Sequence, residues 1–521
     1  MLYYQHLKRS RISGSRPIHD FRFMFQRKST LYSLRPDCGE KVTGGKRDHL
    51  FCGAHHVSET FPGEPGQITE RKAIRDLLYT EENRMKKLSI VGILCIALLA
   101  ICLGSIVAVV PAISRAFSGQ FQWNLFSARN IGADAVEELK APVDGPANLR
   151  IDTPFGKVEI AAVEGSSEIL ISAHKYAWGV DKAAAEGLLE KTKLVFHQDG
   201  NSVSVYVNQP VQVDLLHIGP AGISVDFTVQ VPPECAVEAS SSSGNVSLDG
   251  ISGTANLQSS FGEVEAKNVS GKITAKTGAG NATVKGARAG EEALEASSSF
   301  GDVDVSDSEG GSLIAKSGSG KVTAEDSTFT GRADISSSFG VVAATNVKAR
   351  SIDARANSGA VALHGLDIRE ELNAHSDFGD VEVLDASAES YTLNTDSGKV
   401  TVEGARGKIH AHSGFGGIHI RGTAAILDLS TSSGSIEFTG SLGDGTSVLH
   451  TNFGDIRVRL PADAQFRLDL STNSGELECG FSVTATKSSR THLVGTVGEG
   501  GPALEASTDS GRVSVQPEAS E

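Results

Sequence analysis

Five histidines sit close together in the second half of this 521-residue chain: His410, His412 and His419 within one short stretch, with His364 and His375 upstream. On a strand, His410 and His412 share a face opposite Ala411, and imidazoles so placed are candidate ligands for a surface metal; exposed strand histidines are the plainer reading. Asp302, Asp380 and Asp455 each follow a Phe-Gly pair. Stacked together they could hold Ca²⁺, although solvated corner charges are the favoured reading. Cys38, Cys52, His55 and His56 follow a Cys-x13-Cys-x2-His-His pattern that fits none of the common zinc spacings. Cys235 and Cys479 lie 244 residues apart, at opposite ends of the repeat described below, and read as two single thiols out of disulfide reach. After the apolar segment there is no nucleophile elbow, phosphate loop, dinucleotide fingerprint, His-Glu-x-x-His or calcium nonapeptide. No catalytic, cofactor or metal residue is assigned.

Composition narrows the classes further. Hydrophobic residues are 39%, aromatics 6%, and there are 57 Gly against 2 Trp and 3 Met. Small residues of this kind do not build compact enzyme domains with large aromatic pockets. Residues 1–87 carry a net charge of +7 and the remaining 434 a net of −22. So acidic a body disfavours nucleic acid as a partner.

Leu88 to Val110 is a run of 23 residues without a charge or side-chain amide. As a helix it would extend about 34 Å, enough to cross a hydrocarbon core of about 30 Å. Arg84, Lys86 and Lys87 precede it, which places the N-terminus in the cytoplasm and the rest outside. A cleaved signal peptide is the competing reading. The run exceeds a typical signal core, and Val110-Pro111-Ala112 is a poor cleavage site. Met85-Lys86-Lys87 also resembles a translation start, so residues 1–84 are either a disordered basic arm or an over-long gene prediction. The expected layout is therefore a basic arm (1–84), a membrane anchor (85–112), a linker (113–144), a β-rich cap with one helix from Asp181 to Thr192 (145–240), a repeat array (241–480), and a capping rung with a tail (481–521).

The repeat is the strongest signal. Glycines at 244, 262, 280, 301, 320, 340, 359, 379, 398, 416, 434, 454 and 475 each stand two residues before a position usually occupied by Val or Ile, with gaps of 18 to 21 residues. Segments on either side alternate apolar and polar, as in Lys321-Val322-Thr323-Ala324-Glu325. A unit this short cannot bury its own apolar face, so neighbours must stack. The expected fold is all-β: a parallel β-solenoid of about 19-residue, two-strand rungs, preceded by a single transmembrane helix.

The residue before the glycine alternates between Phe (261, 300, 339, 378, 415, 453) and a small residue (Ser243, Ala279, Ser319, Ser358, Ser397, Ser433). With a 19-residue rung, each Phe would fill space left by small neighbours above and below. With a 38-residue rung, the rings would stack in a ladder. Charge favours the shorter rung, which sets Asp302 beside Lys321 and Asp380 beside Lys399 instead of acid on acid.

Ser-Ser-Gly-Asn-Val (242–246), Ser-Phe-Gly-Asp-Val (299–303), Asp-Phe-Gly-Asp-Val (377–381) and Asp-Ser-Gly-Lys-Val (396–400) resemble the bacterial putative-adhesin family, a domain of unknown function built from β-strand repeats. Val231-Pro232-Pro233 and the Gly-Gly-Pro at 500–502 are similar to it as well, so that the resemblance spans about 145–517. It implies a β-solenoid outside a bacterial membrane and brings no catalytic residues or cofactor. The function expected is a non-catalytic adhesin or envelope scaffold, tethered to the membrane by residues 88–110. Its partner would be a cell-surface glycan or an envelope protein, and not nucleic acid. A polysaccharide-acting enzyme and an extracytoplasmic stress sensor are the alternatives.

Overall fold

The computed structural model describes residues 131–208 and 221–518. The basic arm, the apolar run 88–110, and with them Cys38, Cys52, His55 and His56, lie outside the described residues. Among those described, no helix is long and apolar enough to cross a membrane.

Strands stack in parallel at an offset of one repeat. Ala255–Ser259 pairs with Ile273–Thr277 in the register Ala255↔Ile273, and Val264–Lys267 pairs with Ala282–Lys285 in the register Val264↔Ala282. The pattern continues through Ala333↔Ile352 and Val342↔Val361. The short rung is therefore the correct one. Alternate residues point inward and form continuous ladders, such as Leu294, Leu313, Ala333 and Ile352 on one side and Val303, Val322, Val342 and Val361 on the other, all buried. Each such Val, Leu or Ile contributes about 1.5–3 kcal/mol when removed from water.

The two-strand rung needs a correction. Central rungs have a third, short side, where Glu309–Gly310, Thr328–Phe329, Lys348–Ala349 and Asp367–Ile368 form a four-stranded parallel sheet of their own. Between this side and the preceding strand lies a left-handed residue, either Gly or a polar residue whose short side chain tolerates it. Asn268, Asp307, Asp326, Asn346 and Asp385 take φ of 47–55° here. Asn346 Nδ2 donates to Asp326 Oδ1 at 2.9 Å, tying one rung to the next.

The repeat glycines do a different job. At Gly340, a Cβ would land on the carbonyl oxygen of Gly320, one rung below, and Gly320 stands in the same relation to Gly301. Close backbone approach excludes a side chain at this corner; neither glycine is among the positive-φ residues. Three residues earlier a buried hydroxyl closes the turn. Ser317 Oγ donates to the Gly301 carbonyl at 2.8 Å and accepts the Gly320 N–H at 2.8 Å. Ser337, Ser376, Thr395 and Ser413 repeat both bonds. Ala356 occupies the equivalent place without a hydroxyl and is fully buried.

Both ends depart from sequence order. Ala147–Phe155 and Val158–Ala162 pair on one side with Cys235–Ser243 and Val246–Asp249, and on the other with Ser202–Asn208 and Gly222–Val231. The first rung segment is thus enclosed by later chain. At the far end, Ala503–Ser510 lies between Thr446–Phe453 and Phe466–Ser474. The last repeat is therefore the penultimate rung, and the outer edge is covered by the antiparallel hairpin of Val483–Ser488 and His492–Val497. The region read as a linker ends in a strand: Ile131–Pro142 pairs antiparallel with Glu168–Gly179 across its whole length, so the cap begins by 131. Its helix, Lys182–Lys191, starts where Asp181 accepts the Ala184 N–H at 2.7 Å.

Two substitutions test this corner by denaturant unfolding of residues 122–521. Ala356→Ser supplies the missing hydroxyl and should stabilise the array by about 1 kcal/mol. Gly340→Ala forces a Cβ into backbone and should cost about 1–3 kcal/mol or more; an unchanged midpoint would contradict the close approach.

Candidate functional site

Strand alternation ends at the buried hydroxyl, and the chain then turns. The residue just before the glycine is swung outward, which corrects the space-filling role expected for Phe. Phe261, Phe300, Phe339, Phe378, Phe415 and Phe453 are 65–75% exposed. A seventh, Phe155, belongs to the same row at 50% exposure, since Phe155 pairs in register with Ser243. Its signal is present in the sequence as Phe155-Gly156-Lys157-Val158, displaced by 88 residues from Gly244 because a cap is inserted between them. Along this corner Phe alternates with Ser or Ala, so the rings stand two rungs apart, at about 10 Å. They form a ridge of separated aromatic knobs with gaps between, on an otherwise polar surface.

The residue after the glycine flanks this ridge. Asp302 Oδ1 accepts the backbone N–H of Lys321 at 2.8 Å, Asp380 Oδ1 that of Lys399 at 2.8 Å, and Asp455 Oδ1 that of Arg512 at 2.9 Å. The acid and base expected to be neighbours are neighbours, joined by a carboxylate–backbone bond. Asn245 and Asn281 accept from the next rung in the same way. The three carboxylates are thereby kept apart and not gathered around one point.

The histidines are also dispersed. His410 Nδ1 meets Asp428 at 3.0 Å, His412 Nδ1 meets Ser430 at 2.9 Å, and His419 Nδ1 lies 3.4 Å from Glu437. His375 Nε2 meets Asp377 at 2.9 Å and His364 Nε2 lies 3.4 Å from Glu382. Burial, then Lys399, hold His419 below its ordinary pKa. Among the described residues no group of three or more His, Cys, Asp or Glu side chains is placed to share a metal ion.

One charged cluster was not anticipated. The carboxylate of Asp353 is almost entirely covered, paired with Arg332 and with Arg355. Burial pushes its pKa up against the opposing pull of Arg355 and Arg332. Beside it, Arg355, Asn373, His375, Thr392 and Asn394 line an open depression of about 270 Å³. A larger one of about 570 Å³ lies near the cap, between Arg150, His197, Asp199, Glu238 and Asn256.

Fold and corner together define the class: a capped parallel β-solenoid with an aromatic ridge along one corner. The chain belongs to the Toastrack DUF4097 family, which it matches over residues 191–383 and 312–516. It is similar to a solved structure described as a putative cell adhesion protein from Clostridium sporogenes, at 8% identity over 74% of this chain and 100% of that one, with a TM-score of 0.13. A putative adhesin from Bacteroides fragilis matches at 8% identity over 74% of this chain and 97% of that one, with a TM-score of 0.15. At these scores neither superposition adds to the assignment. No curated protein matches.

Cys235 and Cys479 are both free. Burial pushes the Cys235 thiol up to about 12 and raises Cys479 too. At neutral pH both are protonated, hence poor nucleophiles. Native residues 122–521 should leave Cys235 unlabelled by a maleimide at pH 7, with labelling appearing only on unfolding; rapid native labelling, located by mass spectrometry, would contradict its burial.

Proposed function

We propose that this chain is a non-catalytic contact protein, an adhesin-like rod or envelope scaffold. In this reading residues 88–110 tether it to a bacterial membrane, with the N-terminus cytoplasmic and the array outside. The observation that carries the proposal is the Phe ridge: the same knob recurs at every second rung along the array. Repeated shallow knobs suit an extended surface or polymer, where many weak contacts add through multivalency. They do not suit a small substrate, which needs an enclosing pocket. The tether rests on the 23-residue apolar run, its basic N-terminal flank, and the change from a basic to an acidic chain across it.

The polysaccharide-acting alternative has one specific place to reside, the depression beside Asp353. Both guanidiniums already engage that carboxylate, which favours a structural role for it. Incubating residues 122–521 with insoluble envelope fractions and purified glycans should give saturable retention without soluble product. The triple variant Phe300→Ser, Phe339→Ser, Phe378→Ser should lose most of it. Product formation abolished by Asp353→Asn would replace this reading with the enzymatic one.

A further inference from the structure

Two pairs of rungs at this corner carry charge in phase with its shape. On rungs that bear a knob, the residue after the glycine is acidic at Asp302 and Asp380; on the intervening small-residue rungs it is basic at Lys321 and Lys399. In these two pairs of rungs a knob with an acid beside it is therefore followed by a gap with a base beside it. We propose that the ridge is a self-association seam, in which a second copy of this chain packs antiparallel about a two-fold axis and each Phe enters a gap of its partner. This rests on the contact role above and names the partner of that same ridge.

Symmetry selects the arrangement. A two-fold axis parallel to the stack would set every rung against its own copy, Phe on Phe with the gaps empty, and would throw the residues after the glycine to opposite sides of the seam. An axis perpendicular to the stack reverses rung order, so knobs can face gaps, and it brings the residues after the glycine to the same side of the seam. When the axis passes between the rungs of Phe339 and Ser358, the row overlaps from Phe155 to Ser510, leaving only the outermost Ser474 rung without a partner. Phe339 then faces Ser358, and Phe300 faces Ser397. The series runs out to Phe155 opposite Ser510, so that all seven rings meet small residues. The same register sets Asp302 opposite Lys399 and Asp380 opposite Lys321, each twice by symmetry, and places the exposed Val341 against Ala360 at the axis. At the extremities Lys157 meets Arg512, but each is already paired within its own copy, with Glu159 at 2.9 Å and Glu476 at 3.2 Å. Moving the axis two rungs toward Phe415 also pairs acids with bases. It leaves Phe155 and Phe261 uncovered, however, and sets Asp377 against Asp396.

The area suffices. At roughly 150 Å² per aromatic side chain, seven rings exposed to this degree offer on the order of 700 Å² per copy before the flanking strands are counted. A standard stable interface takes about 800 Å² per partner.

The test uses residues 122–521, a unit with its own continuous core and covered ends. Sedimentation should show a dimer. The triple Phe→Ser variant should be monomeric with an unchanged melting temperature, because those rings lie outside the core. Glu263→Cys and Ser435→Cys stand nine rungs apart in one chain but meet across the seam. Oxidising a mixture of the two single variants should therefore give the 263–435 disulfide. A protein monomeric at every concentration, a dimer indifferent to the Phe substitutions, or 263–263 disulfides in their place would overturn the seam. So would retention on a glycan by a strictly monomeric protein, which would assign the ridge to that polymer. A dimer that fails to bind envelope material would keep the seam and remove the contact function.

Discussion

The approach of one glycine to the carbonyl of the glycine beneath it is the contact on which the array depends. It admits no Cβ, so it fixes the corner of each rung directly over the last. Once the corner is set, the register of both strands follows: the hydroxyl three residues before turns inward, the residue before the glycine turns out, and the apolar residue two after it returns to the core. Variation in repeat length is absorbed elsewhere. The pairs Ala255↔Ile273 and Val264↔Ala282 are 18 residues apart, whereas Ile273↔Leu294 and Ala282↔Val303 are 21 apart. The three extra residues must lie between Lys285 and Leu294, on the short third side, where no long strand constrains them.

A stack held by such a contact has two open edges, and each would template another strand. The solution at both ends is the same. The chain lays down an outermost rung, covers it with antiparallel strands, and places a sequence-distant segment beneath it. At the start that segment is 147–162 and at the finish 503–517. Each inserted segment is hydrogen-bonded on both sides, so neither end of the array can fray one rung at a time. These pairings are far apart in sequence, which makes closure of the ends the slow, non-local part of folding.

Much of this was legible because stacking repeats itself in sequence. The glycine period, the inward Val and the Asp302–Lys321 adjacency all follow from one rung lying over the next. The direction of the Phe side chains was not legible, for a specific reason. Ile335 and Ser337 point inward, so simple alternation sends Phe339 inward too; but alternation belongs to the strand, and Arg332–Ser337 ends before Phe339. The third side escaped notice because a two-residue strand has no period. The enclosed end segments were hidden because their corners look like any others. Only unusual steps, 88 residues from Gly156 to Gly244 and 36 from Gly475 to Gly511, mark the places where the chain leaves the stack and returns.

The corner also separates what the fold requires from what it merely permits. Phe339 and Ser358 occupy equivalent places, each followed by a glycine lying over the carbonyl of the corner glycine one rung below, Gly320 and Gly340 respectively. A small residue therefore satisfies the corner, and nothing in the core calls for a ring there. Seven such rings kept in water run against the ordinary tendency of large apolar side chains to be covered, and a row of exposed rings along one corner marks a surface that meets something. Because the rings recur only at alternate rungs, that surface is shaped as well as apolar: knobs and gaps each repeat at about 10 Å. An apolar strip needing only to be sticky would put Phe at every rung. Leaving every second place small makes sense when the partner's own protrusions have to fit between the rings.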